Sequence, residues 1–251
     1  MTAACSLLVS VPTDEYTSGA ANNDAAAPET SAGGEGGAST IDDGGSVATG
    51  ACDATFCETF DEGPLGANWA QMEAFGGGEL ALVPSTQGPP NALRVRLNAP
   101  AVEGAARSAF LAKTFPVPKQ ARCSVDVFAG PGLGAGDDIE VLSLQATSGG
   151  KLYSLHVKVG NDELHFREGI SGESTSSAEI QAEPWTGAWM HLEIDVELGV
   201  RAMLTGLGQK QELALRAFPA DNVSLVVGES SDSDSWAYEV LVDNVVCTLT
   251  P

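Results

Sequence analysis

The sequence predicts an all-β fold: an antiparallel two-sheet β-sandwich of the jelly-roll type, preceded by a disordered N-terminal segment. Three observations predict it. Residues 51–251 contain many short β-like runs, turn clusters such as Gly76-Gly77-Gly78 separate those runs, and no helical period extends over ten residues. Many short strands divided by Gly, Pro, Asn and Asp turns are typical of sandwiches and jelly rolls.

The most regular alternation lies at 189–198. Every second residue from Leu192 onward is apolar, whereas Glu193, Asp195 and Glu197, here called the acidic trio, share the opposite face. A period of two predicts a half-buried strand. The other predicted strands are 56–60, 79–83, 92–97, 108–115, 122–129, 139–146, 151–159, 163–168, 202–205, 212–215, 224–227 and 236–249.

The first fifty residues differ in composition from the rest. They contain no Lys or Arg and seven acidic residues, and Ala, Gly, Ser and Thr dominate them. Such a segment cannot bury enough apolar surface to offset the entropy of the chain. We therefore predict a disordered acidic linker over 1–50 and one β-sandwich domain over 51–251, which is long enough for a real core.

Four of the five cysteines fall in the predicted domain: Cys52, Cys57, Cys123 and Cys247. No Cys-x-x-Cys pair or zinc-like His spacing accompanies them. An even set favours two disulfides and an oxidising compartment over buried free thiols. Of the three possible pairings we favour Cys52 with Cys57 and Cys123 with Cys247.

The charge balance excludes one class of partner. The chain has 34 acidic and 12 basic residues, a net charge of −22, and no basic cluster. It repels phosphate backbones and anionic lipid headgroups, so we expect no nucleic-acid binding. We expect membrane contact only through a lipid anchor.

We expect no cofactor. Two groups of acidic residues nevertheless make a structural calcium ion an alternative. Residues 232–235 alternate Asp and Ser but lack the Gly and the distant Glu of an EF-hand loop, which favours a surface turn. Asp61 and Asp243 come together if the first and last strands pair. For that pair we favour hydrogen-bonded carboxylates over a shared cation.

The start of the chain resembles a bacterial lipoprotein. Ala3-Ala4-Cys5, followed by a polar tether, is similar to the lipoprotein cleavage box, in which the cysteine is lipidated. The usual Leu is replaced by Thr2, and no full secretory signal precedes Cys5. We interpret this as a late start codon or a trimmed leader; the alternative is a cytoplasmic protein with a chance Ala-Ala-Cys.

The order of features resembles the concanavalin A-like lectin/glucanase superfamily. The cues are Phe-x-x-x-Phe-Asp at 56–61, Trp69, the run 187–194 that contains Trp189, and Val-Asp-Asn-Val at 242–245. The resemblance implies two antiparallel sheets, one of them concave, with the closing strand beside the first. It also implies that sugars or peptides bind on the concave face or its loops.

The acidic trio is similar to the Glu-x-Asp-x-Glu motif of laminarinase-type glycoside hydrolases, which have this fold. That likeness implies a nucleophile at Glu193, an acid/base at Glu197 and a tuning role for Asp195. However, only 54 residues follow Glu197, and the preceding run 175–183 is polar and plain. Alternating strands in acidic chains also carry acidic residues on their solvent-exposed face. We therefore favour a solvated, non-catalytic strand.

For ligand binding the sequence offers three aromatic residues, Trp185, Trp236 and Tyr238, whose rings can stack on sugars. We predict a surface-tethered, non-catalytic module in the cell envelope or outside the cell, lipid-anchored or secreted. It binds a polysaccharide or has an envelope or adhesion role. The alternatives are a glycoside hydrolase that uses the acidic trio on β-glucans and a purely structural lipoprotein domain.

Overall fold

The computed structural model describes residues 52–85, 90–100, 102, 105–130, 138–160, 162–171, 176–181, 187–231 and 237–251, with backbone only at 138 and 229–231. All of them belong to the second of the two units into which the chain divides, Ala51–Pro251. The predictions for the linker over 1–50 with Cys5, for Trp185, for Trp236 and for residues 232–235 fall outside the described residues. Within the described part, no helix is long and apolar enough to cross a membrane.

Regular structure in the described residues consists of β-strands. They are β1 (Phe56–Glu58), β2 (Gln71–Phe75), β3 (Gly78–Pro84), β4 (Asn91–Leu97), β5 (Arg107–Phe115), β6 (Gln120–Ala129), β7 (Asp138–Ser148), β8 (Lys151–Gly160), β9 (Glu163–Ile170), β10 (Ser176–Gln181), β11 (Trp189–Glu197), β12 (Arg201–Gly206), β13 (Gln209–Ala214), β14 (Asn222–Ser231) and β15 (Tyr238–Thr250).

These strands form two antiparallel sheets, which confirms the predicted sandwich. Sheet A has the order β13-β12-β11-β6-β15-β4-β3, with β1 also paired to β15. Sheet B has the order β10-β9-β8-β7-β14-β5-β2. The first and last strands pair through Phe56 and Cys247, as the resemblance implied.

The core lies between the sheets because alternate residues of each strand are apolar and point inward. Leu192 of β11 and Val157 of β8 are both fully buried there. Gly206 of β12 is closely packed in this core: an added Cβ would lie 2.7 Å from a methyl of Leu164 in sheet B and 2.7 Å from one of Leu192. Only glycine fits there without displacing a core side chain.

Two disulfides are present, in the favoured pairing. Cys52 is joined to Cys57, and Cys123 to Cys247. The second bond links register partners on β6 and β15, whose Cα atoms are 4.2 Å apart, and it closes a separation of 124 residues. Restricting so long a loop in the unfolded chain stabilises the folded domain.

One ion pair is built into the inward side of sheet B. Glu168 of β9 is fully buried and accepts hydrogen bonds from the backbone N–H of Arg216 (2.7 Å) and from its Nε (3.2 Å). Burial, and next the charge of Glu168, raise the pKa of Tyr153 above its usual range. The pair fixes the segment after β13 of sheet A against β9 of sheet B.

Two strands were not predicted from the sequence, and both are at sheet edges. The side chains of β2 are almost all exposed, and β10 buries Ile180 alone. An edge strand needs no continuous apolar face, so the alternation that marks the central strands is missing.

Candidate functional site on the outer face of sheet B

The acidic trio lies on the outward side of β11, on the outer face of sheet A. Its first carboxylate accepts hydrogen bonds at both oxygens from Nη2 of Arg122, each 2.9 Å long. The second accepts from Nε2 of Gln120 at 2.9 Å, and the third is 3.5 Å from Nε of Arg201. Each acid thus has its own partner, as on a solvated strand face.

A second pair on the same face is equally open to water. Nδ1 of His191 is 2.6 Å from Asp126, whose other oxygen accepts from the side chain of Asn244 at 2.7 Å. The hydrogen bond to Asp126 raises the pKa of His191 above its usual value. The side chains of His191 and Arg122 are 61% and 62% exposed, so water screens both pairs.

The depression beside the acidic trio is small. It measures about 260 Å³, and Arg122 and Glu193, which are bonded to each other, form part of its lining. Ligand sites for small molecules usually measure about 300–1,000 Å³. This depression is therefore smaller than the usual site for a small molecule.

Tyr238, predicted as a sugar-stacking residue, is buried in the core instead. It is 6% exposed, and its register partner is Leu97 of β4. Tyr238 belongs to the hydrophobic core between the sheets, so its ring is not on the surface where a sugar could stack.

Asp243 is the most sheltered acid near the junction of the first and last strands. It is 1% exposed and accepts the backbone N–H of Asn244 at 2.7 Å, while Asp61 accepts that of Asn91 at 3.0 Å. Burial raises the pKa of Asp243 to about 7, against the Asn244 hydrogen bond and with help from neighbouring carboxylates, chiefly Asp61. Among the described residues, no group of three or more His, Cys, Asp or Glu side chains is arranged to hold a metal ion.

A sheltered row of hydrogen-bonded polar side chains, here called the polar chain, crosses the middle of sheet B on its outer face. Nδ1 of His156 on β8 is 2.5 Å from Glu140 of β7, and Nε2 of the same ring is 2.6 Å from the hydroxyl of Ser154. Glu140 also contacts the hydroxyl of Ser143, which Gln145 approaches with its amide at 3.3 Å. We call Ser154, His156 and Glu140 the Ser-His-Glu group.

A β-bulge places Glu140 in this group. Leu142 and Leu144 point into the core, so strict alternation would turn Glu140 inward as well. The register of β7 against β8 shifts between Glu140 and Leu142, and Glu140 pairs with Lys158. The extra residue returns Glu140 to the outer face beside His156, which is the re-aiming that bulges commonly perform near functional sites.

The hydrogen bonds fix how the His156 ring is used. Burial disfavours the charge on Glu140 and by itself would raise its pKa. The interactions with the His156 ring and the Ser143 hydroxyl outweigh burial, so the pKa of Glu140 lies below its ordinary value. An ionised carboxylate only accepts, so Nδ1 of His156 carries the proton toward Glu140. When the ring is neutral, this tautomer leaves Nε2 to accept the hydrogen bond of the Ser154 hydroxyl, 2.6 Å away.

One arginine borders the Ser-His-Glu group on the next strand. Arg167 of β9 is the register partner of His156 and lies on the same face. It forms no hydrogen bond or ion pair with any described residue, whereas His165, two residues before it, contacts Glu163 at 2.7 Å and Glu179 at 3.7 Å. Arg167 is therefore a half-buried residue whose guanidinium donors no described residue uses.

The other end of this face is more apolar. Phe110 of β5 is half-buried, Val226 of β14 is 6% exposed, and Phe75 of β2 is 63% exposed. By register, Val226 pairs with Ser143 of the polar chain and with Ala112 of β5. The outer face of sheet B thus passes from charged donors to apolar side chains across neighbouring strands.

Sequence reasoning missed this group for a definable reason. The alternation of 151–159 already puts Ser154 and His156 on one face. By simple alternation, however, Glu140 falls on the same side of the strand as Leu142 and Leu144. A bulge leaves no mark in such a sequence pattern. The sequence signal that could have revealed the group is Ser-x-His on the polar side of a central strand.

Comparison with known proteins shows the fold. No protein-family profile matches the chain, and no curated protein matches it. Among solved structures, "Cellulose induced protein, Cip1" superposes with a TM-score of 0.59 at 13% identity, over 77% of this chain and 96% of that one. The alginate lyase vAL-1 from Chlorella virus gives a TM-score of 0.54 at 8% identity, over 72% and 92%.

A third similar structure is the family 7 alginate lyase A1-II' with a bound product, at a TM-score of 0.52 and 11% identity over 67% of this chain and 83% of that one. At these identities the likeness establishes the architecture alone. This chain shares with these three structures the architecture of an antiparallel two-sheet β-sandwich.

Proposed function

We propose that the domain binds an acidic polysaccharide across the outer face of sheet B. The observation that carries this proposal is the guanidinium of Arg167, whose donors no described residue uses. It lies beside a sheltered polar chain, and apolar residues follow across the sheet. Sugars require hydrogen-bonding groups together with apolar surface for their C–H faces.

The charge on Arg167 favours an acidic polymer over a neutral one. A guanidinium binds a carboxylate through two parallel N–H···O bonds, which fits a uronate residue. The whole chain has a net charge of −22, so a polyanion would be attracted only locally, where a cation has no acid of its own. Two of the three similar structures are named alginate lyases, which supports the same class of ligand.

The two disulfides also support a location outside the cytoplasm. Disulfides persist in oxidising compartments such as the envelope and the extracellular space. We place the domain there, tethered through the segment that starts at Cys5 if that cysteine is lipidated.

Affinity electrophoresis of the full chain tests the proposal. Alginate in the gel should retard wild-type protein, and neutral laminarin should not. Arg167→Gln should weaken the apparent affinity about ten- to a hundredfold, because it removes a charge-assisted hydrogen bond worth roughly 1.5–3 kcal/mol. Arg122→Gln is the matched control, since Arg122 is an exposed arginine on the outer face of sheet A.

Three results would contradict it. Absence of retardation by alginate would remove the binding function, and equal retardation by laminarin would remove the preference for acidic polymers. Loss of binding in Arg122→Gln but not in Arg167→Gln would move the site to sheet A.

A further inference from the structure

We infer that the Ser-His-Glu group is a nucleophile, base and carboxylate that hydrolyse carboxylic esters. This activity goes beyond polysaccharide binding, because it requires no bound polymer. Where the ester is an O-acyl substituent of the proposed polysaccharide, the inference rests on the proposed function.

The geometry meets the requirement for an activated nucleophile. Such a site needs a hydroxyl within hydrogen-bond reach of a base, and a third group that orients the base. Ser154 is 2.6 Å from Nε2 of His156, and Glu140 is 2.5 Å from Nδ1, on the opposite side of the ring. Because Glu140 holds the proton on Nδ1, Nε2 is free to accept the proton of Ser154.

The surroundings suit charge separation. Ser154 is 7% exposed, and the side chains of Glu140 and His156 are 13% and 22% exposed. Hydrogen bonds and charges act more strongly in such a sheltered place than on an open surface. On the outer face of sheet A, His191 and Asp126 form the same kind of pair, but 61% of the His191 side chain is exposed and only its Nδ1 has a hydrogen bond to a described residue.

A donor for the developing negative charge lies on the next strand. Arg167 is the register partner of His156, and none of its donors is used by a described residue. Stabilisation of the oxyanion is commonly the largest single contribution to catalysis of acyl transfer. We assign that role to Arg167, with the acyl oxygen facing β9.

The reaction balances without an external reagent other than water. The Ser154 oxygen bonds to the ester carbonyl carbon while its proton moves to Nε2 of His156. The tetrahedral intermediate collapses with cleavage of the bond to the alcohol oxygen, which takes that proton and leaves. Water then attacks the acyl-serine, gives a proton to His156, and the carboxylic acid departs as that proton returns to the Ser154 oxygen.

The substrate class follows from the shelter around Ser154. A residue that is 7% exposed on a sheet admits a small acyl group more readily than a long chain. We therefore expect acetyl esters, either of simple alcohols or of sugar hydroxyls.

The experiment combines turnover with chemical labelling of the full chain. Wild-type protein should hydrolyse p-nitrophenyl acetate, and a fluorophosphonate should label Ser154, identified by peptide mass spectrometry. Ser154→Ala should lower kcat/KM at least about a hundredfold. Glu140→Gln, a change at a positioning residue, should lower kcat about ten- to a hundredfold with little change in KM.

Two matched variants separate this site from background reaction. Ser224→Ala removes a hydroxyl that bonds Thr114 at 3.0 Å on the same face, and His191→Asn removes the exposed histidine of sheet A. Both should keep wild-type activity and labelling.

Absence of fluorophosphonate label at Ser154 in wild-type protein would overturn the inference, even if Ser154→Ala does not fold. So would equal turnover by wild type and a folded Ser154→Ala. Because alginate retardation is measured without an ester, binding that survives in Ser154→Ala alongside lost hydrolysis would support both proposals. Hydrolysis without retardation would retain the ester site and reject the polymer.

Discussion

The two outer faces of the sandwich carry similar residue types in different surroundings. On sheet A, Arg122 bonds Glu193 and His191 bonds Asp126, but the cation of each pair is more than half exposed. On sheet B, the side chains of both Glu140 and His156 are less than a quarter exposed. In this protein, an acidic strand face indicates a site only where burial makes each hydrogen bond costly to lose.

Truncating the acid of one pair on each face gives the largest expected difference. Glu140→Ala leaves His156 sheltered without its partner and should cost about 1–3 kcal/mol of unfolding free energy. Glu193→Ala leaves an exposed arginine and should cost less than about 1 kcal/mol. Urea unfolding at pH 7, with disulfides intact, measures both.

The pH dependence sharpens this prediction. The folded pKa of Glu140 lies below 4.5, so its ionised form stabilises the fold above that pH, and the contribution is lost as the pH falls through the folded value. The cost of Glu140→Ala should therefore shrink below pH 4.5. Equal costs for the two variants at pH 7 would remove the distinction between the faces.

The contrast also shows what a sequence can predict. The sandwich was predictable because the central strands alternate, and the pairing of β1 with β15 followed from a family resemblance. The edge strands β2 and β10 were not, since Ile180 is the only buried side chain between them and no apolar alternation marks either strand. The acidic trio was visible because its strand is regular, whereas the Ser-His-Glu group depends on a bulge and on pairing between β7 and β8.

Asp243 provides a test of a sheltered acid in sheet A that has no cationic partner in the described structure. Its folded pKa of about 7 exceeds the ordinary 3.8, so the folded state holds a proton that the unfolded chain releases. Its contribution to stability is complete below pH 3.8 and is lost as the pH rises through 7. Asp243→Asn should therefore stabilise the protein at pH 8 relative to wild type and have little effect at pH 4.

Thermal unfolding in EDTA at the two pH values measures this change, with a shift of about 2–4 °C expected for each kcal/mol in a domain of this size. Asp195→Asn is the matched control, because Asp195 is a half-buried acid on the outer face of the same sheet and accepts one hydrogen bond, from Gln120. A fall in Tm at pH 8 on Asp243→Asn would contradict the assigned pKa. A rise in wild-type Tm with added calcium would instead favour the cation shared by Asp61 and Asp243.

The smallest expected effect is on glycoside hydrolysis, which would require the acidic trio. Glu193→Gln keeps the shape of the side chain and one oxygen facing Arg122, but it removes the nucleophile that the laminarinase-like alternative needs. We expect the full chain and this variant to release the same amount of reducing ends from a panel of β-glucans. A hundredfold loss in the variant would make β11 an active-site strand, and then exposure would not separate a functional face from a solvated one in this fold.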